Sequence, residues 1–159
     1  MKQIRRAIIA MIMTFMFAGA AAAIDINTLD KISVLMTKSE VLAILGAPND
    51  TLDVGAGLKT EVYKLEGMDP MIGAGCIYDE GRLVGQSFMF AGAMTQEAAE
   101  RLKKHGFTII EEKGIAIKLQ GKDGDRDRLL MVHVYKESGM TVVMVFEKDF
   151  YDKHISGQE

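Results

Sequence analysis

The sequence predicts an α+β protein of two tandem helix-plus-antiparallel-sheet units, with the helices packed on one face of the sheet. Three observations predict this fold class. Two short capped helical segments are present, alternating strand-like segments follow each of them, and short strings recur 57 to 58 positions apart. We expect a signal peptide over residues 1–23, a first unit over 24–92, a second unit over 93–149 and a C-terminal tail over 150–159.

The N-terminal segment has the pattern of a secretory signal peptide. It begins MKQIRR, contains no acidic residue in its first 23 positions and continues into an apolar run that ends in small residues. Ala21 and Ala23 predict cleavage before Ile24, with an alternative cut one residue earlier. An uncleaved anchor is the competing interpretation, although the 17-residue run from Ala7 to Ala23 is at the short limit for a membrane span. We therefore expect a periplasmic or secreted protein without stable membrane insertion.

The charge balance excludes a broad basic binding surface. Without the bases at positions 2, 5 and 6, the chain has 16 bases and 22 acids, a formal charge of −6. Nucleic acid is therefore not an expected partner. The single cysteine, Cys76, excludes a disulfide scaffold, and its apolar, glycine-rich neighbourhood predicts a small buried side chain.

The first unit begins with a helix that has signals at both ends. Thr37 and Glu40 form a capping box, an apolar stripe continues to Leu45, and Gly46 followed by Pro48 ends the helix. Strands are predicted over 59–66, 71–78 and 83–90. A glycine-containing turn over 79–82 joins the last two strands into a hairpin.

The second unit repeats this order. Thr95 is the predicted N-cap of a helix that Gly106 ends. Strands are predicted over 107–112, 115–120, 129–136 and 140–147. The string IYDEG of the first unit resembles VYKESG of the second, as an internal duplication would produce.

Residues 35–48, LMTKSEVLAILGAP, resemble the opening of the SmpA/OmlA-type small envelope proteins, which include a component of the outer-membrane assembly machinery. In that family a three-stranded antiparallel sheet follows this motif. Two such units in tandem are similar to the architecture of secreted β-lactamase inhibitor proteins. The resemblance therefore implies a scaffold or inhibitor role on a shared fold.

Neither catalytic nor metal-binding patterns are visible in the sequence. The HExxH, CxxC and GxSxG motifs and a phosphate-binding glycine loop are missing. Asp123, Asp125 and Asp127 resemble the start of a calcium loop, but Arg128 occupies the position that requires glycine. We therefore predict no catalytic residue, no cofactor and no metal ligand.

Two predicted strands are apolar on both faces, which indicates coverage on both sides or a surface for a partner. We expect the face opposite the helices to be this surface, with Lys118 and Gln120 at its rim. The candidate partner-binding residues are Phe88, Phe90, Val143 and Val145, or their opposite-facing neighbours on the same strands, since the sequence does not show on which face the helices lie.

The predicted function is that of an exported, non-enzymatic protein-binding or scaffolding module of the cell envelope. Its expected partner is another envelope or secreted protein. The first alternative is an inhibitor of a secreted or periplasmic enzyme, which would insert loops 48–58 or 121–128 into its target. The second alternative is an enzyme whose site is not visible in the sequence.

Overall fold

The computed structural model describes residues 24, 26–55, 58–65, 67, 69–124 and 126–158, so the predicted signal peptide lies outside the described residues. Among them, none of the helices combines the length and the apolar character needed to cross a bilayer. In chain order the elements are α1 (Ile26–Leu29), α2 (Lys38–Leu45), β1 (Asp50–Gly55), β2 (Leu58–Lys64), β3 (Met71–Asp79), β4 (Arg82–Ala91), α3 (Thr95–Lys104), β5 (Thr108–Lys113), β6 (Ala116–Asp123), β7 (Arg126–Glu137), β8 (Met140–Glu147), α4 (Lys148–His154) and a final 3₁₀ turn (Ser156–Gln158).

All eight strands belong to one antiparallel sheet in the order β1-β2-β3-β4-β8-β7-β6-β5. The centre of this sheet is the pairing of β4 with β8, in which Phe88 lies opposite Val143 and Gln86 lies opposite Val145. The prediction of two helix-plus-sheet units with their helices on one face is therefore wrong. Backbone hydrogen bonds run continuously from β4 to β8, so the strands form one sheet.

The helices lie on both faces of this sheet. We call the side that carries α1, α2 and α3 the front face, and the side that carries α4 the back face. On β8, Val143 packs in the apolar cluster that contains Ala99 of α3, which we call the α3 cluster. The next residue, Met144, packs with Phe150 and Tyr151 of α4. Successive strand residues point to opposite faces, which places α4 on the side away from α3. The predicted tail thus supplies the back-face helix.

The front-face helix α2 follows its local signals. The hydroxyl of Thr37 accepts a hydrogen bond from the Glu40 N–H at 3.3 Å, and the Glu40 carboxylate accepts one from the Thr37 N–H at 2.7 Å. Gly46 follows the helix with φ +76° and ψ −164°, a conformation that is almost restricted to glycine. The predicted capping box and glycine stop are confirmed.

The start of α3 differs from its prediction. Thr95 is the first helical residue rather than the cap, because Met94 occupies the N-cap position and makes no side-chain capping bond. Gly106, with φ +88°, follows the helix as predicted. The assignment of Thr95 as N-cap is therefore wrong.

The part of the back face beneath α4 is an apolar core. Met89 of β4 and Met144 and Phe146 of β8 are buried with Phe150 of α4 in one cluster. Phe146 lies so close to β4 that a Cβ atom on Gly85 would come within 2.8 Å of the Phe146 ring. Side chains beneath α4 are therefore core rather than a platform.

Candidate binding groove

The front face has an apolar floor at its centre. Phe88 and Val145 are half-buried, Val143 is buried, and Phe88 packs both with the α1–α2 cluster and with the α3 cluster. The half-buried Phe90 continues the floor along β4. These residues line one cavity of about 520 Å³, within the size range of ligand sites in proteins. We call this cavity the groove.

One wall of the groove is the segment around α1. Leu29, Asp30 and Ile32 line the cavity from this side, with Leu29 and Ile32 buried in the α1–α2 cluster. The chain that follows is attached to the sheet, since the Leu35 N–H donates to the Leu83 carbonyl at 2.7 Å. Hydrogen bonding of the backbone to β4 therefore holds this wall in place.

The other wall is α3. Its residues at positions 98, 101, 102 and 105 share one helical face and line the cavity, as their i, i+3, i+4 and i+7 spacing requires. The helix start is fixed by Thr141 of β8. The Thr141 hydroxyl accepts a hydrogen bond from the Met94 N–H at 2.7 Å and donates one to the Gly92 carbonyl at 3.0 Å. This contact holds the N-cap residue Met94 against β8.

Polar groups are few and are carried mainly by the walls. Arg101 and His105 are exposed on α3, Asp30 is exposed on the opposite wall, and Gln86 lies half-buried in the floor. The groove is thus an apolar cleft with charge of opposite sign on its two sides. An arrangement of this kind binds an apolar group and orients it by its polar neighbours.

The four candidate residues from the sequence stand together in this groove. Phe88, Phe90, Val143 and Val145 all line it, but they lie on the side of α1–α3 and not opposite the helices. The prediction that the binding surface lies on the face opposite the helices is therefore corrected. The groove lies on the front face, and α4 covers the back face. The predicted rim also lies elsewhere. Lys118 and Gln120 line a shallow back-face cleft, where Lys118 pairs with Glu111 at 2.7 Å and lowers the pKa of that carboxyl.

Sequence reasoning missed the charged wall residues. Arg101 and His105 occur in the helix TQEAAERLKKH among other charges. A signal was available, since their spacing to Ala98 and Leu102 places them beside the apolar stripe of α3. Asp30 carried no comparable signal, because its place at the groove depends on how the segment after α1 folds back on β4.

The segments expected to insert into an enzyme are largely part of the sheet. β1 occupies residues 50–55, β6 ends at Asp123 and β7 begins at Arg126. The described residues of both segments therefore lie largely in strands.

A polar cluster lies beneath α2, away from the groove. The Lys38 ammonium pairs with the buried carboxylate of Glu61 and lies 5.3 Å from the centre of the Tyr78 ring. Cys76 is directly opposite Glu61 across β2 and β3, and burial raises the pKa of its thiol to about 12. Burial also raises the pKa of Tyr63 and of Tyr78. The thiol stays protonated at neutral pH, as expected of a structural cysteine.

The described part of the chain contains no group of three or more His, Cys, Asp or Glu side chains that could hold a metal ion. His133 is buried on the back face, where its ring meets that of Tyr151 at 5.1 Å. In comparisons with known proteins, no family model matches the chain, and no curated protein or solved structure matches it.

Proposed function

We propose that the protein is an exported, non-enzymatic binding module of the cell envelope that receives an apolar segment of a partner protein in the groove. The observation that carries this proposal is the floor of the groove. Phe88, Phe90 and Val145 remain half-buried at the centre of the sheet, between two walls that are fixed to the strands beside them. Aromatic and aliphatic anchors in such clefts dominate the energy of protein interfaces.

The contrast between the two faces of β4 supports the assignment. Met89 points to the back face and is 2% exposed, whereas its neighbours Phe88 and Phe90 point into the groove. The same strand thus supplies a closed core on one face and the lining of an apolar cleft on the other, and clefts of this kind hold ligands in proteins. A scaffold or inhibitor role is also what the resemblance of residues 35–48 to the SmpA/OmlA-type proteins implies.

Export through a cleaved signal peptide is part of the same proposal. Cleavage after Ala23 makes Ile24 the first residue of the exported protein. Ile24 is buried, and its backbone nitrogen donates to the Lys64 carbonyl at 3.2 Å, which a new N-terminal ammonium group also does. Intact-mass measurement of periplasmic protein should give a chain that begins at Ile24 or Ala23. Recovery of the uncleaved chain in the membrane fraction would contradict export.

Site-specific photocrosslinking tests the groove as the binding site. A benzophenone amino acid replaces Phe90 in one variant and Val145 in another, and it replaces Ile115, which is 54% exposed and does not line the groove, as the control. We expect one and the same protein to crosslink from positions 90 and 145 and not from 115. Mass spectrometry identifies the crosslinked protein.

Charged substitutions then test the requirement for the floor. Phe90→Asp and Val145→Asp should each weaken capture of that protein by tenfold or more, because they place a carboxylate in an apolar contact. Ile115→Asp is the matched control and should leave capture and melting temperature unchanged. Circular dichroism verifies that the groove variants fold. Capture by both folded groove variants that equals capture by the unmodified protein would contradict the proposal. Benzophenone variants within residues 48–58 and 121–128 test the inhibitor alternative, which is favoured if only these variants crosslink a protein.

A further inference from the structure

The groove lies in the front-face layer between the segment around α1 and the helix α3. Its floor is formed by two adjacent strands, β4 and β8. Strands lie about 4.8 Å apart, and packed helices lie about 8–10 Å apart, so one helix covers about two strands. An additional helix above β4 and β8 would therefore continue the layer between the α1–α2 side and α3.

The α3 wall is suited to helix packing. Ala98 is small and lies one turn before Leu102 on the groove side, so a neighbouring helix can approach closely there. Met94 and Met71 line the cavity as well, and flexible thioether side chains adapt to an irregular apolar partner.

The two walls carry opposite charge and do not neutralise each other. Arg101 on α3 and Asp30 on the opposite wall line the same cavity. Within the described residues, neither side chain forms an ion pair or a side-chain hydrogen bond. His105, one turn beyond Arg101, adds a second nitrogen-bearing side chain to the α3 wall. The groove therefore offers a cation on one side and an anion on the other.

We infer that the segment bound in the groove is an amphipathic helix of the partner, with an acidic residue on the flank that faces Arg101 and a basic residue on the flank that faces Asp30. This inference rests on the proposed function and deepens it by stating the chemistry of the partner. An apolar segment with negative charge on both flanks meets repulsion from Asp30. A segment with positive charge on both flanks meets repulsion from Arg101.

Three synthetic peptides of ~14 residues, about four helical turns, test this charge pattern. They share one leucine stripe at helical spacing and carry glutamate on one flank and lysine on the other, glutamate on both, or lysine on both. Binding is measured by fluorescence anisotropy at low salt, with protein purified after expression of the full-length chain. We expect the mixed peptide to bind about fivefold more tightly than each of the others, as exposed charge pairs allow.

Charge reversal in the groove should reverse these preferences. With Arg101→Glu both walls are acidic, and the lysine peptide should bind best. With Asp30→Lys both walls are basic, and the glutamate peptide should bind best. Lys104→Glu is the matched control, because Lys104 is an exposed cation on α3 that does not line the groove, and it should leave the ranking unchanged. The three sites are exposed, so the melting temperature should not change.

The outcomes separate this inference from the proposed function. Equal binding of all three peptides, with no effect of the reversals, overturns the charge pattern. If no peptide binds while position 90 still crosslinks a protein, the helical segment is wrong and the groove remains the binding site. If sodium dodecanoate binds and Phe90→Asp abolishes this binding while no peptide binds, the groove takes an acyl chain and the inference is overturned.

Discussion

The side-chain hydroxyl of Thr141 on β8 accepts a hydrogen bond from the backbone N–H of Met94 at 2.7 Å and thereby attaches the start of α3 to the sheet. Thr141 is completely buried and also donates to the Gly92 carbonyl. One side chain thus connects the strand at the floor of the groove to the helix that forms its wall. The position of Arg101 relative to Phe90 depends on this connection.

Thr141→Val should lower the free energy of unfolding by about 2 kcal/mol, because two backbone groups lose their partner at a buried site while side-chain volume is kept. Urea denaturation measures the change. Thr108→Val, at an exposed position of β5, is the control and should change stability by less than about 0.5 kcal/mol. If the two variants are equally stable, Thr141 does not anchor α3.

Lys38→Met should lower the free energy of unfolding by about 2 kcal/mol, because it leaves the buried carboxylate of Glu61 without its counter-charge. The half-exposed position of Lys38 keeps this value below that of a fully buried pair. Adding Glu61→Gln should recover part of the loss, since an amide is cheaper to bury than an unpaired carboxylate. Lys104→Met provides the exposed control. If the double variant is no more stable than Lys38→Met alone, the ion pair is not the source of the stability loss.

The free energy of unfolding should decrease at alkaline pH because of Cys76. The folded thiol has its pKa raised to about 12 from an ordinary value of 9.0, so its contribution is complete below about pH 9 and decreases as the pH rises toward 12. Between pH 9 and 10 the slope should approach, at most, about 1.4 kcal/mol per pH unit. Tyr63 and Tyr78, whose ordinary pKa is 10.0, act mainly above this window. In Cys76→Ala the slope between pH 9 and 10 should be flatter, and an unchanged slope would contradict the assignment.

Phe150→Ala should cost about 3 kcal/mol, because Phe150 is buried against Phe146 on the back face and leaves a cavity when it is truncated. Lys153→Ala removes an exposed side chain from the same helix and should be nearly neutral. The two variants are compared by thermal denaturation, monitored by circular dichroism. A cost below about 1 kcal/mol for Phe150→Ala would mean that α4 does not complete the core.

Features with a local cause could be predicted from the sequence. The capping box of Thr37 and Glu40 and the stop at Gly46 each depend on residues within one or two helical turns. The hairpin at Glu80 and Gly81 likewise follows from Gly81, which accepts its φ of +76° without steric cost. These elements form as expected because no distant contact is needed to specify them.

Features with a distant cause could not be predicted. α4 contains only two apolar residues, Phe150 and Tyr151, among charged neighbours, and it becomes a core helix because Met144 and Phe146 need a cover. β1 contains two Asp and one Gly, residue types that are depleted in strands, and it is a strand because β2 pairs with it. Side chains alternate between the two faces along β4 and along β8, which places Phe88 with Phe90 on one face and Val143 with Val145 on one face. This alternation could not show which face carries α1–α3.

The pairing of Phe88 with Val143 joins positions 55 residues apart and also sets the order in which the molecule can be completed. β4 has only one sheet partner, β3, until β8 has been synthesised, so a nascent chain that ends before residue 140 exposes β4 as an unpaired edge. Contacts of such long sequence separation slow folding, because loop closure must precede them. The nascent protein therefore passes through a stage with an unpaired strand edge at the centre of its sheet, and the floor of the groove is complete only after β8 has paired with β4.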